Sequence, residues 1–211
     1  MELARLPVDE FCEVTASDTP APGGGSVSAL CGALAASLST MVAKLTIGRK
    51  GYETVEADMQ AAIVELERIR QILLHTIDED AAAFNDFMAA VKLPQVTDDE
   101  KLIRTEAMQV TLKKATQIPL QVAREAVKIF DYARLMIDSG NINAVTDAMV
   151  SAITARTAAL GALLNVRINL GSINDSDFLE STLFEVNTLE EQANEAEDCL
   201  LNAGYLLLSA R

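Results

Sequence analysis

The feature that most constrains the fold is a long run without charged residues between Asp18 and Lys44. It opens with TPAPGGGS and continues mainly in Ala, Ser, Thr and Gly. Small residues recur at helical spacing within it, at Ser28, Gly32, Ala36 and Ser39. Such a stripe lets a second helix lie very close.

The run is long enough to span a bilayer, but its few large apolar residues make insertion weakly favourable. We expect the central buried helix of a soluble bundle, although similar stripes occur in membrane helices.

The rest of the chain also has the pattern of long helices. Half of the 211 residues are hydrophobic, Trp is absent, and no segment alternates in the manner of a strand. Helices are predicted at about 8–16, 26–46, 54–92, 98–139, 144–170 and 175–210. Pro119 should kink or interrupt the fourth, Gly140 should end it, and Asn141 or Asn143 should cap the next. We predict an all-α, up-and-down bundle of long helices in a single domain, 1–211.

Composition argues against several classes of function. Lys and Arg total 17 against 31 Asp and Glu, a net charge of −14, so a nucleic-acid backbone would be repelled. Three cysteines without C-x-x-C spacing indicate a reducing cytoplasm rather than a zinc site or disulfide framework. The N-terminus is too acidic and polar for a signal peptide. His75 is the only histidine, so we predict no metal.

The triple glycine Gly23-Gly24-Gly25 raises the question of a ligand loop. It lacks the third glycine of a dinucleotide fingerprint and the Gly-Lys-Ser/Thr of a P-loop. Consecutive glycines followed by Ser26 at a helix start nevertheless expose backbone N–H groups beside a positive dipole end. A carboxylate, phosphate or electron-rich heterocycle can dock on such groups. A capped turn forced by close helix contact explains the same residues equally well.

A stripe of small and polar residues follows Gly140 along the predicted fifth helix. Its members are Asp147, Ser151, Thr154, Gly161, Asn165 and Asn169. Polar residues are costly to bury unless satisfied, so such a stripe often lines a cavity or an interface. The alternative is a solvated face, with Asp147 merely complementing the helix dipole.

Two clusters of charged residues allow either a functional or a routine interpretation. Asp78-Glu79-Asp80 is followed by three alanines and Phe84. The default for such a cluster is solvation, but an alanine-rich turn indicates close helix contact, which would place one carboxylate at the edge of the core. Arg49 and Lys50 are basic residues near the glycine loop in sequence. They can offset an anionic substrate or simply complement a helix C-terminus.

Taken in order, these motifs resemble the cyclodeaminase/cyclohydrolase family. The resemblance rests on T-P-A-P-G-G-G-S, the G-R-K-G-Y turn, D-x-x-A-F from Asp80, G-N-x-N-A-x-x-D ending at Asp147, and N-V-x-I-N-L from Asn165. It covers nearly the whole chain. Thr146 stands where the family usually has serine, and Asp147 is intact.

The resemblance implies the fold of the C-terminal domain of formiminotransferase-cyclodeaminases and a cytoplasmic homodimer without cofactor. Its substrate would be a tetrahydrofolate derivative. Formiminotetrahydrofolate cyclodeaminases make 5,10-methenyltetrahydrofolate and ammonia; methenyltetrahydrofolate cyclohydrolases interconvert 5,10-methenyl- and 10-formyltetrahydrofolate. The motifs do not choose between these reactions. No segment is left for a formiminotransferase domain, so we expect the chain to act alone, without nucleic-acid or membrane partners.

The resemblance also implies site residues. Asp147 is the first choice for acid–base work and Asp80 the second. The remaining candidates bind substrate: Gly23, Gly24, Gly25 and Ser26 through backbone donors, Asn141, Asn143 and Asn165 as orienting amides, and Arg49 and Lys50 toward the glutamate tail of the folate. A non-catalytic folate-binding protein and a structural bundle that uses its stripes for oligomerisation are the alternatives.

Overall fold

The computed structural model describes residues 2–210. Its α-helices are α1 (Val8–Thr15), α2 (Gly24–Thr46), α3 (Glu56–Val91), α4 (Asp98–Ser139), α5 (Val145–Leu170) and α6 (Ser176–Ser209). Short 3-10 turns precede α1, α3 and α5, at Leu3–Arg5, Glu53–Val55 and Ile142–Ala144. No β-strand occurs in residues 2–210. The all-α prediction is confirmed, and every predicted helix end lies within two residues of the observed one.

Successive long helices from α2 to α6 run antiparallel, as in an up-and-down bundle. Contacts between α3 and α4 show this, because Arg104 Nε donates to the carbonyl of Val91 near one end and Lys114 pairs with Asp86 further along. A single cluster of buried apolar side chains draws on all six helices. The predicted architecture of long antiparallel helices is therefore confirmed.

Helices α4 and α6 are parallel neighbours. The side chain of Lys113 pairs with Asp175 at 2.5 Å near the start of α6. About three helical turns further along both helices, the Arg124 guanidinium donates to both carboxylate oxygens of Glu185, at 2.6 and 2.7 Å. Paired N–H···O bonds of this kind fix geometry as well as charge, so they hold the outermost helix in register with α4.

The predicted small-residue stripe of α2 lies directly against α5. Ser39 Oγ is 2.8 Å from Ser151 Oγ, and Ser151 Oγ donates to the Ala35 carbonyl at 2.7 Å. Toward the other end of the contact, a Cβ added to Gly161 would overlap Ser28 Oγ. A side chain at residue 161 would therefore displace the Ser28 hydroxyl from its hydrogen bond to the Gly24 carbonyl. The middle of the polar stripe on α5 is explained by this contact rather than by solvent.

Pro119 does not interrupt α4, which continues unbroken from Asp98 to Ser139. A proline within a helix removes the N–H that would bond the carbonyl four residues earlier, here Ala115. The side chain of Asn169 on α5 supplies the missing donor, because its Nδ2 lies 3.1 Å from the Ala115 oxygen. Of the two effects expected at Pro119, a kink or an interruption, the interruption does not occur, and a neighbouring helix satisfies the freed carbonyl.

The turn between α4 and α5 follows the sequence prediction in part, because Gly140 ends α4 as expected, whereas the N-cap of α5 is Ala144, which forms no side-chain cap bond. Gly140 ends α4, and its N–H donates to the Met136 carbonyl at 3.0 Å. A Cβ at Gly140 would overlap that same carbonyl oxygen. Asn141 then caps the 3-10 turn, with its side chain accepting from the backbone N–H of Asn143 at 3.1 Å.

Two of the described helical segments, Gly24–Thr46 and Ile142–Leu170, are long and apolar enough to cross a membrane by length and composition alone. The buried shares of their apolar stretches are 61% and 50%. Core helices of soluble proteins have the same character, so composition does not decide the matter. The contacts of α2 with α3, α4 and α5 place it at the centre of the bundle.

The compensation of Pro119 by Asn169 predicts a coupled effect on stability. Asn169→Ala leaves the Ala115 carbonyl without a donor, so the free energy of unfolding should fall by about 1–3 kcal/mol. In a Pro119→Ala background the restored backbone N–H bonds Ala115, and the same change should cost clearly less. Urea unfolding of the four proteins measures both effects. Asn85→Ala, at an exposed site on α3, is the control and should change little; equal costs in both backgrounds would refute the compensation.

Candidate active site

A cleft of about 310 Å³ opens where the N-terminus of α2 meets α3, α4 and α5. Its polar lining is formed by Gly23, Gly24, Gly25, Asp80, Asn165 and Asn169. Apolar walls are contributed by Phe84, Phe87, Leu112 and Ile168, among others. Its size lies at the lower end of the roughly 300–1,000 Å³ typical of small-molecule pockets. The triple glycine, Asp80 and Asn165, predicted separately from sequence, therefore lie together.

A larger hollow of about 640 Å³ lies beside the N-terminal segment. Its carboxylate, Asp78, is already engaged, since it accepts the backbone N–H of Leu3 at 2.6 Å and that of Ala4 at 3.4 Å. His75 also lines this hollow, with its side chain 74% exposed and 3.4 Å from Glu79. Because Asp78 is committed to holding the N-terminal segment, the cleft with Asp80 is the stronger candidate site.

Gly25 is glycine because Asp80 lies directly over it. A Cβ added at Gly25 would be 2.5 Å from the Asp80 Cγ and closer still to its oxygens. Neighbouring Gly24 has room only for a tight contact, with its added Cβ 3.0 Å from Asn165 Nδ2. At this position a close approach of side chains to the backbone, rather than backbone conformation, demands glycine.

Ser26 connects Asp80 to the core. Its fully buried hydroxyl lies 3.0 Å from the Ile77 carbonyl oxygen and 3.0 Å from Asp80 Oδ2. One hydroxyl carries one hydrogen, so ionised Asp80 and the carbonyl compete for the same donor. Protonated Asp80 brings a second hydrogen that satisfies both contacts. The arrangement thus accommodates either protonation state of the carboxyl.

Burial raises the pKa of Asp80 above its ordinary value of 3.8, because the ionised form is poorly solvated, and hydrogen bonds from Ser26 only partly oppose this. Several carboxyl groups elsewhere shift the other way. A hydrogen bond from Lys113 lowers the pKa of Asp175, and one from Arg124 lowers that of Glu185. A carboxyl with a raised pKa in a cleft is suited to proton transfer.

Asn165 faces the cleft from α5. Its Nδ2 donates to the Gly161 carbonyl at 2.8 Å, which fixes the orientation of the amide. Within residues 2–210 its Oδ1 accepts no hydrogen bond, so a ligand's N–H or O–H can bond there. Asn169, one turn further on, is occupied by Ala115.

The other predicted site residues lie at the far end of α2 and α5. Asn141 is buried, with its N–H donating to Thr46 Oγ1 at 2.8 Å and its Nδ2 to the Leu45 carbonyl at 3.0 Å. Its Oδ1 accepts from Arg49 Nη1 at 3.3 Å. Asn141 thus joins the α4–α5 turn to the end of α2. Asn143 and the side chain of Arg49 lie beside it.

Asp147 and Asp80 are not brought together within one chain. Asp147 lies half-buried in the first turn of α5, and Asn165 at the cleft is 18 residues later on the same helix. At 1.5 Å per residue, Asp147 lies about 27 Å along α5 from Asn165, which is at the cleft with Asp80. Arg49 and Lys50 are likewise separated from the triple glycine by the length of α2. The predicted residues therefore form two groups, one at each end of the helix pair.

Sequence reasoning missed the apolar walls of the cleft that α3 and α4 supply. Phe84 and Phe87 form an aromatic wall, and Pro119 and Leu112 close the side formed by α4. Phe84 belongs to the D-x-x-A-F motif, so its position one turn after Asp80 was an available signal. Nothing in the spacing of Leu112 and Pro119 relative to Gly25 indicates that they meet, because that contact depends on the crossing of α4 with α2 and α5.

The sequence profile of the formiminotransferase-cyclodeaminase family matches residues 7–188. The chain belongs to this family. The methenyltetrahydrofolate cyclohydrolase of Methylorubrum extorquens is 38% identical over 186 residues, which cover 88% of this chain and 89% of that protein. The formimidoyltransferase-cyclodeaminase of Gallus gallus is 32% identical over 94% of this chain, which spans only 37% of that longer protein. Formiminotetrahydrofolate cyclodeaminase from Thermotoga maritima has a similar crystal structure, with a TM-score of 0.87 at 30% identity, covering 97% of this chain and 98% of that one.

Among residues 2–210, no group of three His, Cys, Asp or Glu side chains is arranged to hold an ion. Cys12, Cys31 and Cys199 are unpaired thiols. The described chemistry of the cleft consists of one carboxyl, amides, a hydroxyl and backbone N–H groups.

The raised pKa of Asp80 predicts a particular pH dependence of stability. The ionised carboxyl is disfavoured in the folded protein, so the folded state loses stability as the pH rises from 3.8 through the raised pKa. Asp80→Asn removes this loss, and its free energy of unfolding relative to wild type should improve between acid and neutral pH. Urea unfolding at a series of pH values measures the difference.

Asp175→Asn provides a control of opposite sign. The lowered pKa of Asp175 stabilises the folded protein above 3.8, and that contribution disappears as the pH falls through the lowered pKa. The variant should therefore be least stable, relative to wild type, near neutral pH. If the free energies of unfolding of both variants, relative to wild type, change in the same direction with pH, the raised pKa assigned to Asp80 is wrong.

Proposed function

We propose that this chain is a methenyltetrahydrofolate cyclohydrolase, which interconverts 5,10-methenyl- and 10-formyltetrahydrofolate. The observation that carries the proposal is the position of Asp80, a carboxyl with a raised pKa, against the uncapped glycine N-terminus of α2 in one cleft. The identity of 38% with a cyclohydrolase of nearly equal length supports the choice of reaction.

Deamination of 5-formiminotetrahydrofolate is the second candidate. It is favoured by the similarity to the Thermotoga maritima cyclodeaminase over almost the whole of both chains. Both reactions pass through a tetrahedral carbon between nitrogens, and both need a proton carrier rather than a covalent nucleophile. The same cleft therefore serves either reaction.

In the hydrolysis, water adds to the methenyl carbon between N5 and N10, and ionised Asp80 accepts the proton that the water loses. The bond from this carbon to N5 then breaks. Asp80 returns its proton to N5, and the hydroxyl proton of the intermediate leaves to solvent, which gives 10-formyltetrahydrofolate. Before the attack, the carboxylate also stabilises the positive charge of the methenyl bridge.

In the deamination, N10 attacks the protonated formimino carbon carried on N5. Asp80 takes the proton from N10 and passes it to the departing nitrogen, which leaves as ammonia. The product is again the methenyl cation. Ser26 follows both changes of Asp80 by directing its one hydrogen either to the carboxylate or to the Ile77 carbonyl.

The remaining groups of the cleft orient the substrate. Gly23 caps α2 without a side-chain hydrogen bond, so the backbone N–H groups of Gly24 and Gly25 can receive carbonyl or ring-nitrogen atoms of the folate. Phe84 and Phe87 offer aromatic faces to the pterin. The free Oδ1 of Asn165 can accept a pterin N–H. No further cofactor is required.

The proposal includes a cytoplasmic homodimer that binds neither nucleic acid nor membrane. Three unpaired cysteines are compatible with a reducing compartment. The net charge of −14 opposes association with nucleic acid or with anionic lipid. The homodimer is the state that the family resemblance implies, and exposed apolar side chains on α2 and α5 are compatible with it.

Assays with purified protein separate the two reactions. Each folate is supplied in turn, and the near-ultraviolet absorbance of methenyltetrahydrofolate is followed. Loss of methenyl absorbance faster than in buffer alone indicates the cyclohydrolase, and a rise from the formimino substrate indicates the cyclodeaminase. Asp80→Asn should lower turnover at least about a hundredfold in whichever reaction occurs.

Asp86→Asn is the matched control, because Asp86 lies on the same helix, is exposed, and pairs with Lys114 outside the cleft. It should keep wild-type turnover. A wild-type rate in Asp80→Asn would remove Asp80 from the mechanism. Tight folate binding without turnover of either substrate would favour a carrier, and failure of any folate to raise the melting temperature would favour a structural protein.

A further inference from the structure

Residues 5–21 lie between two anchored points of the chain and are here named the N-terminal strap. The strap contains α1 and ends just before α2. Ahead of it, the backbone N–H of Leu3 donates to the carboxylate of Asp78 on α3, at 2.6 Å. After it, Gly25 lies against Asp80, two residues further along the same helix. Both ends of the strap are therefore held within one turn of α3.

The strap passes from one side of α3 to the other and reaches the cleft. Successive residues of a helix are about 100° apart, so Asp78 and Asp80 face nearly opposite sides of α3. At the cleft, Pro20 and Ala21 form part of the wall. The cleft holds about 310 Å³, which is near the lower limit for small-molecule pockets. A displacement of this wall therefore changes the room for a ligand.

Between its ends the strap has one buried point of attachment. Phe11, 7% exposed, is the only buried residue among 5–21, all of which the structure describes. The hydroxyls of Thr15, Ser17 and Thr19 bond to other atoms of the strap, and its acidic side chains are exposed. Segments with few buried apolar contacts open at a low cost in free energy. The strap can therefore leave its position without unfolding the bundle.

The turn that carries the wall is ordered by its own contacts. Thr19 Oγ1 donates to the Ala21 carbonyl at 3.2 Å and lies 2.6 Å from the Ser17 hydroxyl. A Cβ added to Gly23 would be 3.3 Å from the carbonyl oxygen of Pro20, so the chain folds back closely on itself. Because this turn is ordered internally and follows α1 directly, the two should move together.

We propose that the N-terminal strap is a lid of the cleft, with Phe11 as its latch. Displacement of the strap opens the wall formed by Pro20 and Ala21, and a bound folate holds the strap closed. Gly25 and Ser26 belong to α2 rather than to the strap, so Asp80 keeps its contacts while the lid opens. The inference rests on the proposed function for the identity of the ligand.

The outermost helix of the bundle shows how a fixed cover is attached. Helix α6 is joined to α4 at two levels, by Lys113 with Asp175 and by the two hydrogen bonds from Arg124 to Glu185. Helix α1, by contrast, contributes one buried side chain and a hydroxyl bond that stays within the strap. This difference favours a movable lid over a permanent part of the surface.

Hydrogen exchange followed by mass spectrometry tests the lid on the full chain. In the free protein, the amides of α1 should exchange at least about tenfold faster than those in the middle of α2, because local opening costs less than global unfolding. Saturating tetrahydrofolate should slow exchange in residues 8–21 at least about tenfold. Equal exchange of α1 and α2 overturns the lid. So does unchanged exchange of residues 8–21 at a tetrahydrofolate concentration that raises the melting temperature.

Phe11→Ala removes the latch. Exchange of residues 8–21 in the free protein should rise at least about tenfold, while unchanged exchange of α3 to α6 shows that the bundle is folded. The KM for folate should rise about tenfold and kcat should change less than about twofold, because an open lid weakens binding of the ground and transition states alike. Phe11→Leu keeps an apolar latch and should restore most of the wild-type KM.

Val8→Ala is the matched control, since Val8 lies on the same helix and is 81% exposed. It should keep the exchange rates and the KM of wild type. A Phe11→Ala protein that is less stable but has wild-type exchange in residues 8–21 and wild-type KM would make Phe11 a purely structural contact, and the lid would be wrong.

The outcomes separate this inference from the proposed function. Rapid exchange of the free strap and its protection by tetrahydrofolate, without turnover of either folate, overturns the proposed function while leaving the lid intact. Turnover of a folate, with no protection of residues 8–21 and a wild-type KM in Phe11→Ala, overturns the lid while leaving the reaction intact. A protein that tetrahydrofolate neither stabilises nor protects, and that turns over neither folate, overturns both.

Discussion

The close approach of α2 to α5 is the constraint on which the rest of the structure depends. Ser28 lies against Gly161, and a Cβ added to Gly32 would be 3.4 Å from the Cβ of Ala158. The hydroxyls of Ser39 and Ser151 form a hydrogen bond between the two helices. Large side chains along this line would push the helices apart. Because they lie so close and antiparallel, the first turn of α2 is held against the last turns of α5, where the cleft forms. Close packing against α5 therefore accounts for the small, uncharged residues of α2.

Polar side chains next to the cleft form hydrogen bonds with backbone carbonyl oxygens of neighbouring helices. Pro119 shapes one wall but removes a helical N–H, and Asn169 from α5 satisfies the carbonyl of Ala115. Ser26 similarly serves both the Ile77 carbonyl and Asp80. These bonds cross between helices, so the geometry of the cleft and the stability of the bundle are determined by the same contacts. No buried side-chain nitrogen or oxygen in the described residues lacks a partner.

Much of this could be predicted from sequence, and the reasons for the failures are specific. Helix positions follow from periodicity and from the residues Gly140 and Asn141 in the turn after α4, which act locally. The grouping of Gly25, Asp80 and Asn165 could be expected only through family motifs, because no local rule links positions on three helices. The interruption considered for Pro119 does not occur, since the consequence of the proline depends on Asn169, fifty residues later. The distance between Asp147 and Asp80 depends on how α5 lies along α2, which spacing within each motif does not contain.

The contact between Gly25 and Asp80 also limits how the cleft can change over evolution or in the laboratory. Because the carboxyl occupies the volume where a side chain at residue 25 would begin, a substitution at residue 25 must displace the Asp80 side chain. A larger residue at 25 is compatible with the same backbone only when the Asp80 carboxyl moves away from the first turn of α2 or residue 80 becomes smaller. Changes of side-chain size are therefore accommodated more readily at the walls formed by Phe84, Phe87 and Ile168, where they need not displace the Asp80 side chain.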